Sequence, residues 1–157
     1  MIARRTVTAA VAQLLAQATG KPVGQITVPI NPSTGKAYPP PYTLLYPLDH
    51  TTDDRTLADA HQTAVTVYQA TCVSGPDPAK PDSRGTAEQA EWLADKARTA
   101  MLARPADGSP GYANALNLPG VSCYRREADI EAGATSDATD AIITYVIRFR
   151  LYLEAAA

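Results

Sequence analysis

From Ala141 to Leu153 the chain reads AIITYVIRFRLYL. Ile143, Tyr145, Ile147, Phe149, Leu151 and Leu153 stand at alternate positions, with Thr144, Arg148 and Arg150 between them. Successive side chains of a strand point to opposite faces, so this run predicts a long strand with one apolar and one polar face. An apolar face of that length has to be covered. The segment therefore dictates a sheet with a second layer packed on it. With 157 residues, the chain is long enough to build that core within a single domain spanning 1–157.

Two segments with helical spacing supply the second layer. Val7, Ala10, Val11, Leu14, Leu15 and Ala18 recur every three or four residues, which predicts a helix from about Arg4 to Ala18. Thr8, Gln13 and Gln17 are expected on its other side, and Gly20 and Pro22 stop it. Arg4 and Arg5 stand at its N-terminus, where the helix dipole disfavours cations; they are read as solvated or as a grip on a partner. The second helix opens at Thr86, with Gln89 placed to complete a capping box, and runs to about Ala103 before Pro105. Ala90, Leu93, Ala94, Ala97, Met101 and Leu102 make its apolar face.

Strand composition recurs at His61 to Val73, rich in Val, Thr and Tyr, and at Tyr42 to Leu48. Val121 to Arg126 reads as a short strand, and Val23 to Ile30 as an edge strand limited by Pro29. The remaining stretches read as loops. Asn31 to Pro41 (NPSTGKAYPPP) is a turn followed by an extended polyproline segment, free in solvent or laid against another subunit. Asp49 to Ala60 is polar and turn-rich, and Gly75 to Gly85 and Ala106 to Gly120 are rich in Pro and Gly. Glu127 to Asp140 is an acidic connection. Strands adjacent in sequence pair antiparallel, so the fold class is α+β: a mainly antiparallel sheet with two helices packed on one face.

The formal net charge of -2 provides no global attraction to nucleic acid or anionic lipid. With one Phe and one Trp, the core is expected to be aliphatic with tyrosines at its margins. Cys72 and Cys123 pair only if their strands are neighbours; two buried free thiols are expected. The N-terminus imitates a leader peptide, but Gln13 and Gln17 break the apolar run at helical spacing. No segment is long and apolar enough for a membrane-spanning helix.

Catalytic patterns are absent from the sequence. Asp49, His50, Asp53 and Asp54 have the types a hard cation needs, but no Glu stands at a twelfth loop position and no Gly at a sixth, so they read as a solvated turn. His61 reads as structural. No Walker loop, nucleophile elbow or dinucleotide fingerprint occurs, and the cysteines lack CxxC spacing. The chain is therefore expected to be neither an enzyme nor a cofactor protein. Arg125, Arg126, Arg148 and Arg150 are candidates for contact with an acidic partner surface, against the alternative of a solvated sheet face.

A strand ending TVYQATCVSG, a loop, and TAEQAEWLADKARTAML together resemble tail terminator proteins of long-tailed bacteriophages. The N-terminal helix, the YTLLYPL strand and the alternating final strand extend the resemblance over most of the chain. QAEWLADKA is its most specific piece. NPSTGKAYPPP and the Pro-rich loop at Gly75 to Gly85 depart from the family, and head closure and minor tail proteins share the pattern. The resemblance implies a homo-hexameric ring in the virion, at the head-proximal end of the tail and assembled in the host cytoplasm. Such a ring ends polymerisation of the tail tube protein and joins it to the head-proximal connector, with no cofactor and no membrane contact. DNA passes its lumen without specific binding. On that reading Lys36, Tyr38, Arg84, Arg125, Arg126, Arg148 and Arg150 are candidates for contact with neighbouring subunits or the tube. Glu127, Asp129, Glu131, Asp137 and Asp140 are candidates for the lumen wall, or form an ordinary solvated hairpin loop. Another head–tail joining protein and an unrelated cytoplasmic adapter or small enzyme stay open beside it.

Overall fold

A computed structural model describes residues 2–54, 62–80, 82–135 and 141–155. The elements run α1 (Arg4–Thr19), β1 (Val23–Gln25), β2 (Tyr42–Asp54), β3 (Gln62–Ser74), α2 (Ala87–Leu102), β4 (Val121–Thr135) and β5 (Ile143–Ala155). The fold is α+β, with a five-stranded sheet in the order β1-β2-β3-β5-β4. β2–β3, β3–β5 and β5–β4 pair antiparallel. β1 pairs parallel to β2, so the sheet is mixed while mainly antiparallel. The cause is the connection: residues 26–41 make a crossover arm in place of a tight turn, and only a crossover lets consecutive strands run parallel.

The final strand behaves as its period dictates. Ile147, Phe149, Leu151 and Leu153 are fully buried, while Arg148 and Arg150 lie on the other face. Register sets Tyr68 opposite Phe149 and Ala70 opposite both Ile147 and Leu45, so β2, β3 and β5 share one inner face. Val7, Val11, Leu14 and Leu15 of α1 and Leu93, Ala97 and Met101 of α2 close over it. Each such aliphatic side chain contributes about 1.5–3 kcal/mol relative to exposure. The alanines of α2 let its backbone approach the sheet closely. Tyr68 corrects the expectation of marginal tyrosines, since it is 1% exposed at the centre of the core. Its hydroxyl is within 3.0 Å of Thr8 Oγ1, which explains why Thr8 is buried on α1 and not turned outward with Gln13 and Gln17. Ala18, expected on the buried face, is exposed.

At the start of α2, Thr86 Oγ1 accepts from Gln89 N at 3.1 Å, the first half of the capping box. The second half runs through β3. Thr86 N donates to Ser74 Oγ at 2.9 Å, and Ser74 Oγ donates to Gln89 Oε1 at 2.7 Å. Gly85 fits here because a Cβ would stand 2.5 Å from Ser74 O.

Two strands outrun their sequence limits. β2 continues through Asp49–Asp54 beyond a bulge at Pro47/His50, pairing His50 with Thr66 and Asp54 with Gln62. β4 runs on through the acidic stretch to Thr135, paired with β5 throughout. In both cases the partner strand offers a ladder to the backbone, and Asp49, Thr51, Thr52 and Asp53 of β2 are exposed. Neither stretch is the solvated turn or connection expected of it. His61, Asp137 and Asp140 lie outside the described residues.

The two cysteines are free. β5 separates β3 from β4, so Cys72 and Cys123 are not on neighbouring strands. Cys72 is fully buried and burial pushes its thiol up to about 12, whereas Cys123 is only half-buried.

Candidate assembly surface

The arm begins with a forced turn. A Cβ on Gly24 would lie 1.9 Å from Thr27 O. Ile26 then adopts φ 68, the left-handed region, and donates its N–H to Leu45 O at 3.0 Å. A β-branched residue there is a backbone outlier costing of order 1–3 kcal/mol. Its side chain is largely left in solvent, at 59% exposure. Val28 and Ile30, at the next alternate positions, are 40% and 55% exposed. Pro29, between them, is buried. The arm turns at Asn31–Lys36 and returns antiparallel, with an Ile30↔Ala37 bridge and Tyr38 N donating to Pro29 O at 2.8 Å. Between arm and α1 lies an open groove of about 950 Å³, lined by Ala16, Val23, Val28, Tyr38, Pro39 and Pro41 among others.

The polyproline segment is neither free nor laid only against another molecule, since Pro40 packs against Gly75, where a Cβ would meet its Cγ at 2.6 Å. The loop that follows is held from within. Asp77 N donates to Ser83 Oγ at 2.8 Å, Ser83 N to Lys80 O at 2.9 Å, and Gly85 N to Ala141 O at 2.8 Å.

At the far end of the sheet, β4 has a partner on one side only among the described residues. Its Tyr124 and Ile130 are 57% and 49% exposed. Register shifts after Cys123, Ala128 and Glu131 break its regularity. On the face without helices, Glu127 accepts from Tyr152 Oη at 2.7 Å and from Arg125 Nη2 at 2.6 Å, and Arg150 Nη2 lies 2.6 Å from Asp129. The Tyr152 hydrogen bond, helped by Arg125 and Arg150, holds the Glu127 carboxyl below its usual range. The Glu127 and Asp129 partners raise Arg150 further above its ordinary value, after the Tyr152 hydroxyl. Glu131 points to the helix side instead, forming an ion pair with Arg98 of α2. The three carboxylates expected in one connection are thus divided between two faces and compensated by arginines.

The candidate basic residues also separate. Arg125 and Arg150 belong to this charged network. Arg148 Nε donates to Gln69 Oε1 at 3.1 Å on the same face. Lys36 is exposed at the tip of the arm, Tyr38 is half-buried beside it, and Arg84 is exposed before α2. Arg126 is corrected: it is 6% exposed and offers no surface to a partner. Its Nη1 donates to Asn114 O at 2.9 Å and Met101 O at 3.3 Å, and its guanidinium stacks 4.4 Å from the Tyr112 ring. Arg104 covers that ring at 4.3 Å. The bulge between Cys123 and Arg125 explains the error, because it shifts the alternation and turns Arg126 inward. Arg4, expected to be solvated, donates from Nη2 to Leu48 O at 2.7 Å.

The chain matches no family model and no curated protein. Among the described residues no three His, Cys, Asp or Glu side chains are placed to hold one metal ion, and no helix is long and apolar enough to cross a membrane. What the geometry does assemble is contact surface: an arm with three exposed β-branched side chains, an exposed Trp92 on α2 beside Lys21 and Lys96, and an open strand edge with Tyr124 and Ile130. Sequence reasoning missed the arm as a surface. The signal was present, for I-x-V-x-I alternates at 26–30, but Val23 to Ile30 reads only as an edge strand and the strand ends at Gln25.

Proposed function

We propose that the chain is a structural virion protein, a tail-terminator-like subunit that forms a ring on the tail tube. The ring ends polymerisation of the tube and joins it to the head-proximal connector. The observation that carries this reading is the exposure of Ile26, Val28 and Ile30 on an arm whose backbone is strained to display them. Large apolar side chains gathered on a projecting segment mark a surface that another protein covers. The two-helix layer on one sheet face, together with the sequence likeness to tail terminators, supports the same reading. In the ring, Lys36, Tyr38, Arg84 and the open-face Arg125, Arg148 and Arg150 meet neighbouring subunits or tube.

Electron microscopy of particles assembled without this protein tests the proposal. Tails of uncontrolled length are expected. Heads that leak DNA, with tails of normal length, would instead assign a head-closure role. Particles of normal form and infectivity would refute a virion function.

A further inference from the structure

We infer that neighbouring copies of this chain join head to tail, the arm of one copy seating Ile26, Val28 and Ile30 against the β4 edge of the next, at Tyr124 and Ile130. This deepens the proposed ring and rests on that reading. The two surfaces stand at opposite ends of the sheet, the arm beside β1 and the other on β4. They are unlike in shape. The arm is a narrow hairpin with alternate apolar side chains; β4 is a long strand interrupted by three register shifts. Those irregularities oppose ladder pairing with a flat strand, and so disfavour β4 against a second β4. They leave side chains, not a continuous backbone ladder, to make the contact.

Three observations select a second copy as the occupant. Unlike patches at opposite ends of one molecule generate a heterologous contact, which closes into a ring when the rotation permits. The arm is uncharged except for Lys36 between 22 and 41, while β4 carries Glu127, Asp129 and Glu131. Those carboxylates already face Arg125, Arg150 and Arg98, so the charge match sets register more than strength. Finally, Ile26 keeps a left-handed backbone that Asn or Gly would adopt without strain, so the exposed isoleucine side chain carries a backbone cost.

Two patch variants of the full chain test the contact: Val28→Asp with Ile30→Asp on the arm, and Tyr124→Asp with Ile130→Asp on β4. Native mass spectrometry and light scattering read their assembly, with circular dichroism as the folding control. The wild type is expected to form rings. Each variant alone is expected to be monomeric, because every contact uses one patch of each kind. Mixed in equal amounts, the two are expected to yield heterodimers and nothing larger, through the one intact arm and the one intact edge. Ile26→Asn guards against misfolding as an explanation. It is expected to melt at or above the wild-type temperature yet weaken association about tenfold or more. Normal rings from the β4 variant, a mixture that stays monomeric, or an Ile26→Asn chain that associates like wild type would each overturn the inference while leaving the terminator reading to the tail microscopy. A wild type that is monomeric at every concentration reached would overturn it as well, and would assign the arm to a different protein.

Discussion

Replacing Ser74 by Ala removes one oxygen and disconnects a helix from its sheet. The Ser74 hydroxyl accepts from Thr86 N and donates to Gln89 Oε1, and the side chain is fully buried at the end of β3. Each hydrogen bond contributes about 1 kcal/mol net, and a donor left unsatisfied costs about 1–3 kcal/mol. Thr86 N–H is part-buried and loses its partner outright. Gln89 is half-buried, and its amide can turn to water, so its loss is the smaller one. The sum is about 1.5–2.5 kcal/mol, which for a domain of this size corresponds to a fall in Tm of roughly 4–8 °C. Chemical denaturation of Ser74→Ala, Gln89→Ala and the double variant checks it. Because both residues lie in one chain of hydrogen bonds, their effects should couple by at least about 0.5 kcal/mol. A Ser74→Ala loss below about 0.5 kcal/mol, or strict additivity, would refute the relay between strand and helix cap.

Phe149→Ala should cost about 3–5 kcal/mol, since it empties a fully buried ring opposite Tyr68. Arg148→Ala should cost under about 1 kcal/mol, as it loses one part-exposed contact to Gln69; thermal melts with the reverse ranking would contradict the register of β5. Thiol reagents at pH 8 should label Cys123 well before Cys72, because Cys72 is buried and its thiol stays protonated up to about 12. That raised value contributes stability present in full below the unfolded thiol range near 9 and lost as pH climbs toward 12, so alkaline melts of Cys72→Ala should show a shallower decline over that window. Tyr152→Phe should return the Glu127 carboxyl toward its ordinary range in an NMR titration, since the tyrosine hydroxyl is the first cause of its depression.

The core was legible because its signals were periodic. The alternation of Ile143 to Leu153 and the three-and-four spacing of Val7 to Leu15 each name a face, and burial follows from them. What was not legible depended on contacts between distant segments. Thr8 turns inward only because Tyr68 needs a hydrogen-bond partner in the core. The acidic run from Glu127 to Glu131 is strand because β5 offers it a ladder, and a bulge before it, between Cys123 and Arg125, turns Arg126 under the sheet. No local propensity records either event. The arm was legible in part: Pro29 marks Val23 to Ile30 as an edge, but a period states that a face is apolar and not whether the same molecule covers it.

Arg126 has a consequence for how the sequence is free to change. The loop between α2 and β4 is held through the backbone oxygens of Met101 and Asn114, which any residue would supply. A cation gripping carbonyls fixes where the loop lies without specifying what it displays. Outward side chains of residues 106–110 other than Gly108 can drift in evolution, or be exchanged by design, while the loop's course is kept; Gly108 and Gly111, at φ 75 and 105, favour glycine. Tyr112 is the exception, because its ring lies between the Arg104 and Arg126 guanidiniums, and its hydroxyl donates to Arg126 O at 3.0 Å. Lysine at 126 would keep the charge and lose the planar stack on the Tyr112 ring. One buried guanidinium therefore leaves the chain a variable surface on an invariant frame.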